Sequence, residues 1–326
     1  MAPLSFRRSE RGFGLIEVMV SLVVGMILTA GLLRIMSSGK RIYRVDANLS
    51  QMLDSGRFAT HYLQREVREA GNIGCPDLAA VTPASDLVGA PAVLTPTTVV
   101  GGIDNIAAPN VYNATAGSDL ISIRKGASPY RRLTAAMATP AANLQIAGGG
   151  AGLGAGDVVL VSDCTGGDLF SVSGVAAGGG GVSLGHAAGG NSSGNLSKAY
   201  GTDATVMSLD LVVFFVGPNP DGVPALWRQD QSGASTELVD GVEDLQVRYG
   251  EDTDGDGVAN RYATAAAVAD WSQVVTVRMS LLLVSDDDNI ARAAQPYTLD
   301  GVVVTPADRR LRRVFTTTVA VRGRTL

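Results

Sequence analysis

The sequence predicts an α+β chain: one long N-terminal α-helix, first transmembrane and then amphipathic, packed on a mainly antiparallel β-sheet head. Three observations predict it. Phe13–Leu33 is a run of 21 residues in which Glu17 is the one charged side chain. Beyond it a single apolar stripe continues to Ala70, just before Gly71. The remainder is rich in glycine (40 in the chain), poor in aromatics (5%), and broken into short apolar runs between turn residues.

The apolar run comes first. Its length suits one crossing of a hydrocarbon core about 30 Å thick. A carboxylate there costs roughly 2.5–3.5 kcal/mol on insertion scales, so Glu17 is expected to have a partner and a function. Ahead of the run stand Arg7, Arg8 and Arg11, and then Gly12, a small residue at which a peptidase could cut. The loop charges do not choose an orientation, because Arg34, Lys40, Arg41 and Arg44 follow the run.

The helix is expected to continue past the membrane. Ile42, Val45, Leu49, Met52, Ala59, Leu63, Val67 and Ala70 recur at helical spacing, with Gly56 filling the gap. Arg, Asp, Gln and Glu are assigned to the other faces. Gly71 suits the position after a helix end. The expected helix, 13–71, divides into a transmembrane half (13–33) and an amphipathic stem (34–71). From Phe13 to Ala70 it would span about 87 Å. Gly25, Gly31 and Gly39 are weak points where it could bend.

Residues 72–326 read as a β-rich head. Residues 72–117 look like loop with short strands. Strands are expected at Asp119–Lys125, Asp157–Ser162, Phe170–Val172, Thr205–Val216, Val223–Arg228, Val242–Tyr249, Val274–Val284 and Arg312–Arg322. Gly217–Gly222 is a turn. Residues 174–201 read as a long flexible Gly/Ser/Asn loop.

Charge is divided unevenly. Residues 1–71 hold 10 Lys and Arg against 6 Asp and Glu, a net of +4; the rest holds 16 against 25, a net of −9, and together they make −5. A basic stem suits anionic headgroups. An acidic head argues against nucleic acid as a partner.

Gly12-Phe13-Gly14-Leu15-Ile16-Glu17 ahead of an unbroken apolar helix resembles the class III signal of type IV prepilins and type II secretion pseudopilins. The resemblance implies that residues 1–12 are a leader peptide, cut between Gly12 and Phe13 by a membrane prepilin peptidase. It implies methylation of the new amine on Phe13. It also implies that Glu17 pairs with the N-terminal ammonium of a neighbouring subunit during assembly. Asp54–Ala59, Arg65–Gly71 with Gly74-Cys75, Gly241–Gly250 with Asp252–Gly257, and Arg313–Val319 resemble PilW-type minor pilins. That resemblance implies a structural, non-enzymatic protein that initiates or caps a type IV pilus, with a part in adhesion and twitching motility. Its implied partners are other minor and major pilins, a tip adhesin and the inner-membrane assembly platform. It implies a single pass through the inner membrane with the head periplasmic, and then a place in the fibre at the cell surface. A minor pseudopilin of type II secretion and a pilus-borne adhesin are the alternatives.

With the head outside the cytoplasm, the two cysteines, Cys75 and Cys164, are expected to form a disulfide; free thiols are the other reading. The loop of about 90 residues sets an upper contribution of roughly 4–5 kcal/mol.

No cofactor is required on this reading. One motif still invites a metal. Asp252, Asp254 and Asp256 alternate ahead of Gly257, as in Ca²⁺ loops, with the Val258 carbonyl and Asn260 as further ligands. Ala263 stands where an EF-hand needs a bidentate Glu, so a Ca²⁺ site here would be weak. An acidic hairpin turn is the other reading. Asp286-Asp287-Asp288 lacks the spacing and reads as a solvated loop. Gly190-Asn191-Ser192-Ser193-Gly194 matches a nucleophile elbow by letters, but it lies in a glycine-rich loop instead of a strand-to-helix turn. The histidines, His61 and His186, and the two cysteines are too scattered to suggest a triad or a zinc set.

Overall fold

The computed structural model of the chain describes residues 14–75, 78, 84–88, 94–148, 152–178 and 181–322. Gly12 and Phe13, the expected cleavage and methylation positions, lie outside the described residues. The chain forms two compact units divided between Gln51 and Met52. The division falls inside one helix, α1 (Leu15–Arg68, 54 residues).

In the first unit α1 is long and apolar enough to cross a membrane. It runs unbroken through Gly25, Gly31 and Gly39. The apolar side chains from Leu15 to Met36 are exposed on every face, as a lipid-facing helix requires. Its hydroxyls are satisfied internally: Ser21 Oγ donates to the Glu17 carbonyl (2.6 Å) and Thr29 Oγ1 to the Gly25 carbonyl (2.7 Å). In lipid no water would do so.

In the second unit the last turns of α1 bury Met52, Gly56, Ala59, Leu63 and Val67 against the sheets. Glu66 is buried with them, at 4% exposure, although the sequence assigns glutamates to the outer faces. The helix closes at Arg68, and Glu69–Gly71 form a turn. Gly71 takes φ +73°, and its N–H donates to the Arg124 carbonyl (2.9 Å), so the chain leaves the helix straight into the sheet.

Seventeen strands follow among the described residues. The first eight are β1 (Ala84–Ser85), β2 (Val100–Ile103), β3 (Leu120–Ala135), β4 (Leu144–Ala147), β5 (Val158–Asp163), β6 (Gly166–Ser171), β7 (Gly174–Gly178) and β8 (Gly181–Gly185). The remainder are β9 (Thr205–Pro218), β10 (Pro224–Gln229), β11 (Ser235–Asp240), β12 (Val242–Glu251), β13 (Arg261–Ala263), β14 (Val274–Val284), β15 (Tyr297–Leu299), β16 (Val302–Val304) and β17 (Arg312–Ala320). One large sheet runs β1-β6-β5-β9-β3-β4-β8-β7, with β2 on β3 and the β10–β11 pair on β9. A second runs β13-β12-β14-β17, and β15–β16 form a hairpin. The β1–β6 pair is parallel and the other pairs are antiparallel. The architecture is α+β and pilin-like.

The fully apolar stretch of β9 lies at the centre, between β5 and β3, and Val212 and Phe214 are fully buried. The main core joins the helix stripe to both sheets through Leu63, Val67, Phe214, Val247, Met279 and Leu281. Three expectations change. Residues 174–178 and 181–185, read as flexible loop, form the paired strands β7 and β8, because Val182 and Leu184 alternate inward among the glycines and are buried. Residues 235–240, which lie between the expected strands Val223–Arg228 and Val242–Tyr249, form a further strand, β11, against β10. The strand expected at Asp119–Lys125 continues to Ala135, since its far half finds partners in β9 and β4.

Candidate functional site

Glu17 lies in the first turn of α1, exposed, and its N–H donates to the Gly14 carbonyl (2.9 Å). Among the described residues, its neighbours from Gly14 to Val20 are apolar and exposed. An acidic side chain in the first turn also complements the helix dipole.

At the other end of α1 an ion-pair cluster fastens the helix to the head. Lys125 on β3 is buried, and its Nζ donates to Glu66 Oε2 (2.8 Å) and Glu69 Oε2 (2.6 Å). Arg65 Nη2 donates to Glu66 Oε1 (3.2 Å). Burial alone would lower the Lys125 pKa; the two glutamates outweigh it and hold the ammonium above its ordinary value. Each carboxylate of the cluster therefore sits beside a fixed cation.

Just past the helix, Cys75 is bonded to Cys164, with the Cα atoms 4.9 Å apart. Cys164 lies in the tight turn between β5 and β6. Two hydrogen bonds support the crossing: Ser162 Oγ donates to the Ile73 carbonyl (2.6 Å), and the Gly126 N–H to the Asn72 carbonyl (2.8 Å). The helix exit is thus held by the ion pairs, the disulfide and backbone bonds.

The acidic motif forms the connection between β12 and β13. Carboxylate oxygens of Asp252, Asp254 and Asp256 lie within 4.8 Å of one another. Asp252 organises the turn: Oδ1 accepts from the Gly255 N–H (2.7 Å) and Oδ2 from the Gly257 N–H (2.8 Å). The Gly257 N–H, with Gly255, holds Asp252 below the usual carboxylate range. Gly255 and Gly257 take φ +81° and +82°, a region costly for other residues. Asp256 Oδ1 accepts from the Val258 N–H (2.8 Å). Asn260 Oδ1 accepts from Thr253 N (2.8 Å) and Oγ1 (3.0 Å), so it already serves the loop. Ala263 lies in β13, paired with Tyr249, and brings no oxygen-bearing side chain to the loop.

The remaining motifs do not assemble. Ser192 Oγ donates directly to Asp86, whereas His186 is buried with Nε2 on the Ala142 carbonyl (2.9 Å). Serine, histidine and aspartate therefore do not line up for proton relay. Asp286–Asp288 are exposed; Asp288 Oδ1 accepts from the Arg309 N–H (3.0 Å) and pins a surface loop.

Residues 213–323 match the family model of type IV pilus-assembly protein W. Residues 7–33 match the prokaryotic N-terminal methylation motif. Both matches support a PilW-type pilin. No curated protein and no solved structure matches the chain.

The two matches cover different parts of the chain. One takes in the signal and the membrane half of α1. The other runs from the middle of β9 through β17 and includes the acidic loop. Sequence reasoning missed Lys125 and Glu66 as a pair. Lys125 falls in an alternating strand and Glu66 between stripe residues, and their sequence separation of 59 hides the contact. It also missed Asp119, which is buried, with Oδ1 accepting from Asn105 N (2.8 Å) and Oδ2 from Val247 N (2.8 Å). The available signal was a lone acid at the start of an apolar strand.

Proposed function

We propose that this protein is a membrane-anchored type IV pilus minor pilin that takes part in pilus assembly. We propose that it acts at the pilus tip, initiating or capping the fibre together with other minor pilins. The observation that carries the reading is the pairing of a class III signal and exposed apolar helix with a head that encloses the helix end. A chain built in this way can leave the membrane only by exchanging lipid for other helices. Glu17 then finds its cation in a neighbour's N-terminal ammonium. In this proposal the leader ends at Gly12, Phe13 is methylated, residues 13–71 form the helical anchor and stem, and residues 72–326 the head. The protein crosses the inner membrane once with its head in the periplasm. Its partners are the minor and major pilins, a tip adhesin, the assembly platform and the prepilin peptidase.

The test is crosslinking in cells followed by capture of the chain. Recovery of minor pilins and a tip protein, with loss of pili on deletion, supports the reading. Recovery of secretion pseudopilins, with intact pili on deletion, defeats it in favour of a type II secretion role. Mature protein that begins at methylated Phe13 supports the processing step, and an intact leader in cells with active peptidase refutes it.

We also propose that the Asp252–Asp256 loop takes up Ca²⁺ weakly. Three convergent carboxylates over a glycine turn supply hard oxygen ligands, and the Val258 carbonyl extends the set.

A further inference from the structure

A cavity of about 380 Å³ opens on the head between residues 110–114 and the β9–β10 hairpin. Tyr112, Phe215 and Trp227 contribute aromatic walls, and Asn113 and Asn219 contribute amides. The walls are fixed in place. Asn110 Oδ1 accepts from the N–H groups of Tyr112 (3.1 Å) and Ala114 (2.9 Å), and Nδ2 donates to the Ala107 and Ala114 carbonyls (both 3.0 Å). Trp227 Nε1 donates to the Gly217 carbonyl (3.1 Å), which locks the indole. The two walls meet at Gly217: a Cβ there would stand 2.6 Å from the Asn113 carbonyl oxygen. The Thr115 N–H donates to the Val216 carbonyl (2.7 Å) and closes the seam. Tyr112 packs on Phe215 with ring centroids 5.5 Å apart.

We propose that this cavity binds a neutral saccharide of one or two rings. Its volume falls within the range of small-ligand pockets, roughly 300–1,000 Å³, and is too small for a helix about 10 Å across. No lining residue is charged, so nothing offers a counter-ion to phosphate, sulfate or carboxylate. Aromatic faces carry the negative part of the ring quadrupole. They attract the polarised C–H face of a pyranose. The Tyr112 hydroxyl and the Asn113 carboxamide have no hydrogen-bond partner among the described residues, and each can both donate and accept. Sugar hydroxyls need that combination. A proline-rich peptide also favours aromatic walls, but its proline carbonyls only accept, so they would leave the acceptor oxygens of Tyr112 and Asn113 unused, which sugar hydroxyls satisfy. The site does not depend on the pilus reading.

The test uses the full chain in micelles of a detergent that is not a glycoside. Trp227 and Trp271 are the two tryptophans, so Trp271→Phe leaves Trp227 as the one reporter. Neutral mono- and disaccharides of glucose, galactose and N-acetylglucosamine are titrated while Trp227 emission is followed. At least one is expected to give a saturable change. Asn113→Ala and Tyr112→Phe, with unaltered Tm, are expected to weaken it by about tenfold each, as for one net hydrogen bond. Saturation-transfer NMR on wild-type protein with the same sugars gives the answer even if Trp271→Phe does not fold. Absence of saturable binding in both measurements overturns the proposal. So does binding that Asn113→Ala and Tyr112→Phe leave intact, or a proline-rich peptide that titrates where no sugar does.

Discussion

The ring of Phe315 lies against Gly56, 2.5 Å from where a Cβ on that glycine would stand. Glycine normally costs a helix about 1 kcal/mol relative to alanine. Here the missing side chain lets the ring of β17 lie on the helix. Enlarging it is therefore expected to destabilise in spite of better helix propensity. Gly56→Val should lower stability by about 1–3 kcal/mol, the usual cost of overpacking. Adding Phe315→Leu should recover part of the loss. Chemical denaturation of the single and double variants checks both statements.

Lys125 is expected to matter more to stability than a surface lysine. Lys125→Met removes the cation from a buried carboxylate, a change that typically costs 3–5 kcal/mol. Because Lys125 also reaches the half-exposed Glu69, the loss should lie toward the lower end. Lys125→Met combined with Glu66→Leu should be much less harmful than Lys125→Met alone, since no charge is then stranded. A double-mutant cycle by urea denaturation measures the coupling.

Asp119 predicts a pH dependence. Burial pushes its carboxyl up to about 6, against the Asn105 and Val247 N–H bonds that favour the charged form. The folded state then binds more protons than the unfolded state between about pH 4 and pH 6. Stability from this group is thus full below about pH 4 and falls as pH rises through 6. The stability difference between wild type and Asp119→Asn should shrink across that window. A difference independent of pH would show that Asp119 does not titrate there.

Glu17→Ala should insert into the membrane at least as well as wild type, since a costly charge is gone. It should nevertheless fail to enter pili. Membrane fractionation and pilus counts separate the two effects. Normal pilus number with this variant removes the pairing role.

For the acidic loop, a dissociation constant on the order of 10⁻⁴–10⁻³ M is expected, as in extracellular Ca²⁺ modules. Millimolar Ca²⁺ should then add about 0.5–1.5 kcal/mol to stability. The measurable result is a small, saturable rise in Tm that Asp254→Ala abolishes. Equal melting of wild type and variant, with and without Ca²⁺, would leave a solvated hairpin turn.

The features legible in the sequence are those written in local periodicity. The apolar run with Glu17, the stripe from Met52 to Val67, the exit at Gly71 and the apolar centre of β9 depend on neighbours a few residues apart. Spacing therefore predicts them. The acidic loop is legible for the same reason. What the tertiary structure alone decided depends on distant pairings. Glu66 is buried because β3 brings Lys125 to it, and Gly56 is needed because β17 brings Phe315. Residues 174–178 and 181–185 form strands because β4 offers an edge and the core accepts Val182 and Leu184. The cavity beside Trp227 exists because Gly217 lets residues 110–114 approach β9. In each case the partner lies tens to hundreds of residues away, and local propensity carries no information about which side chain will arrive.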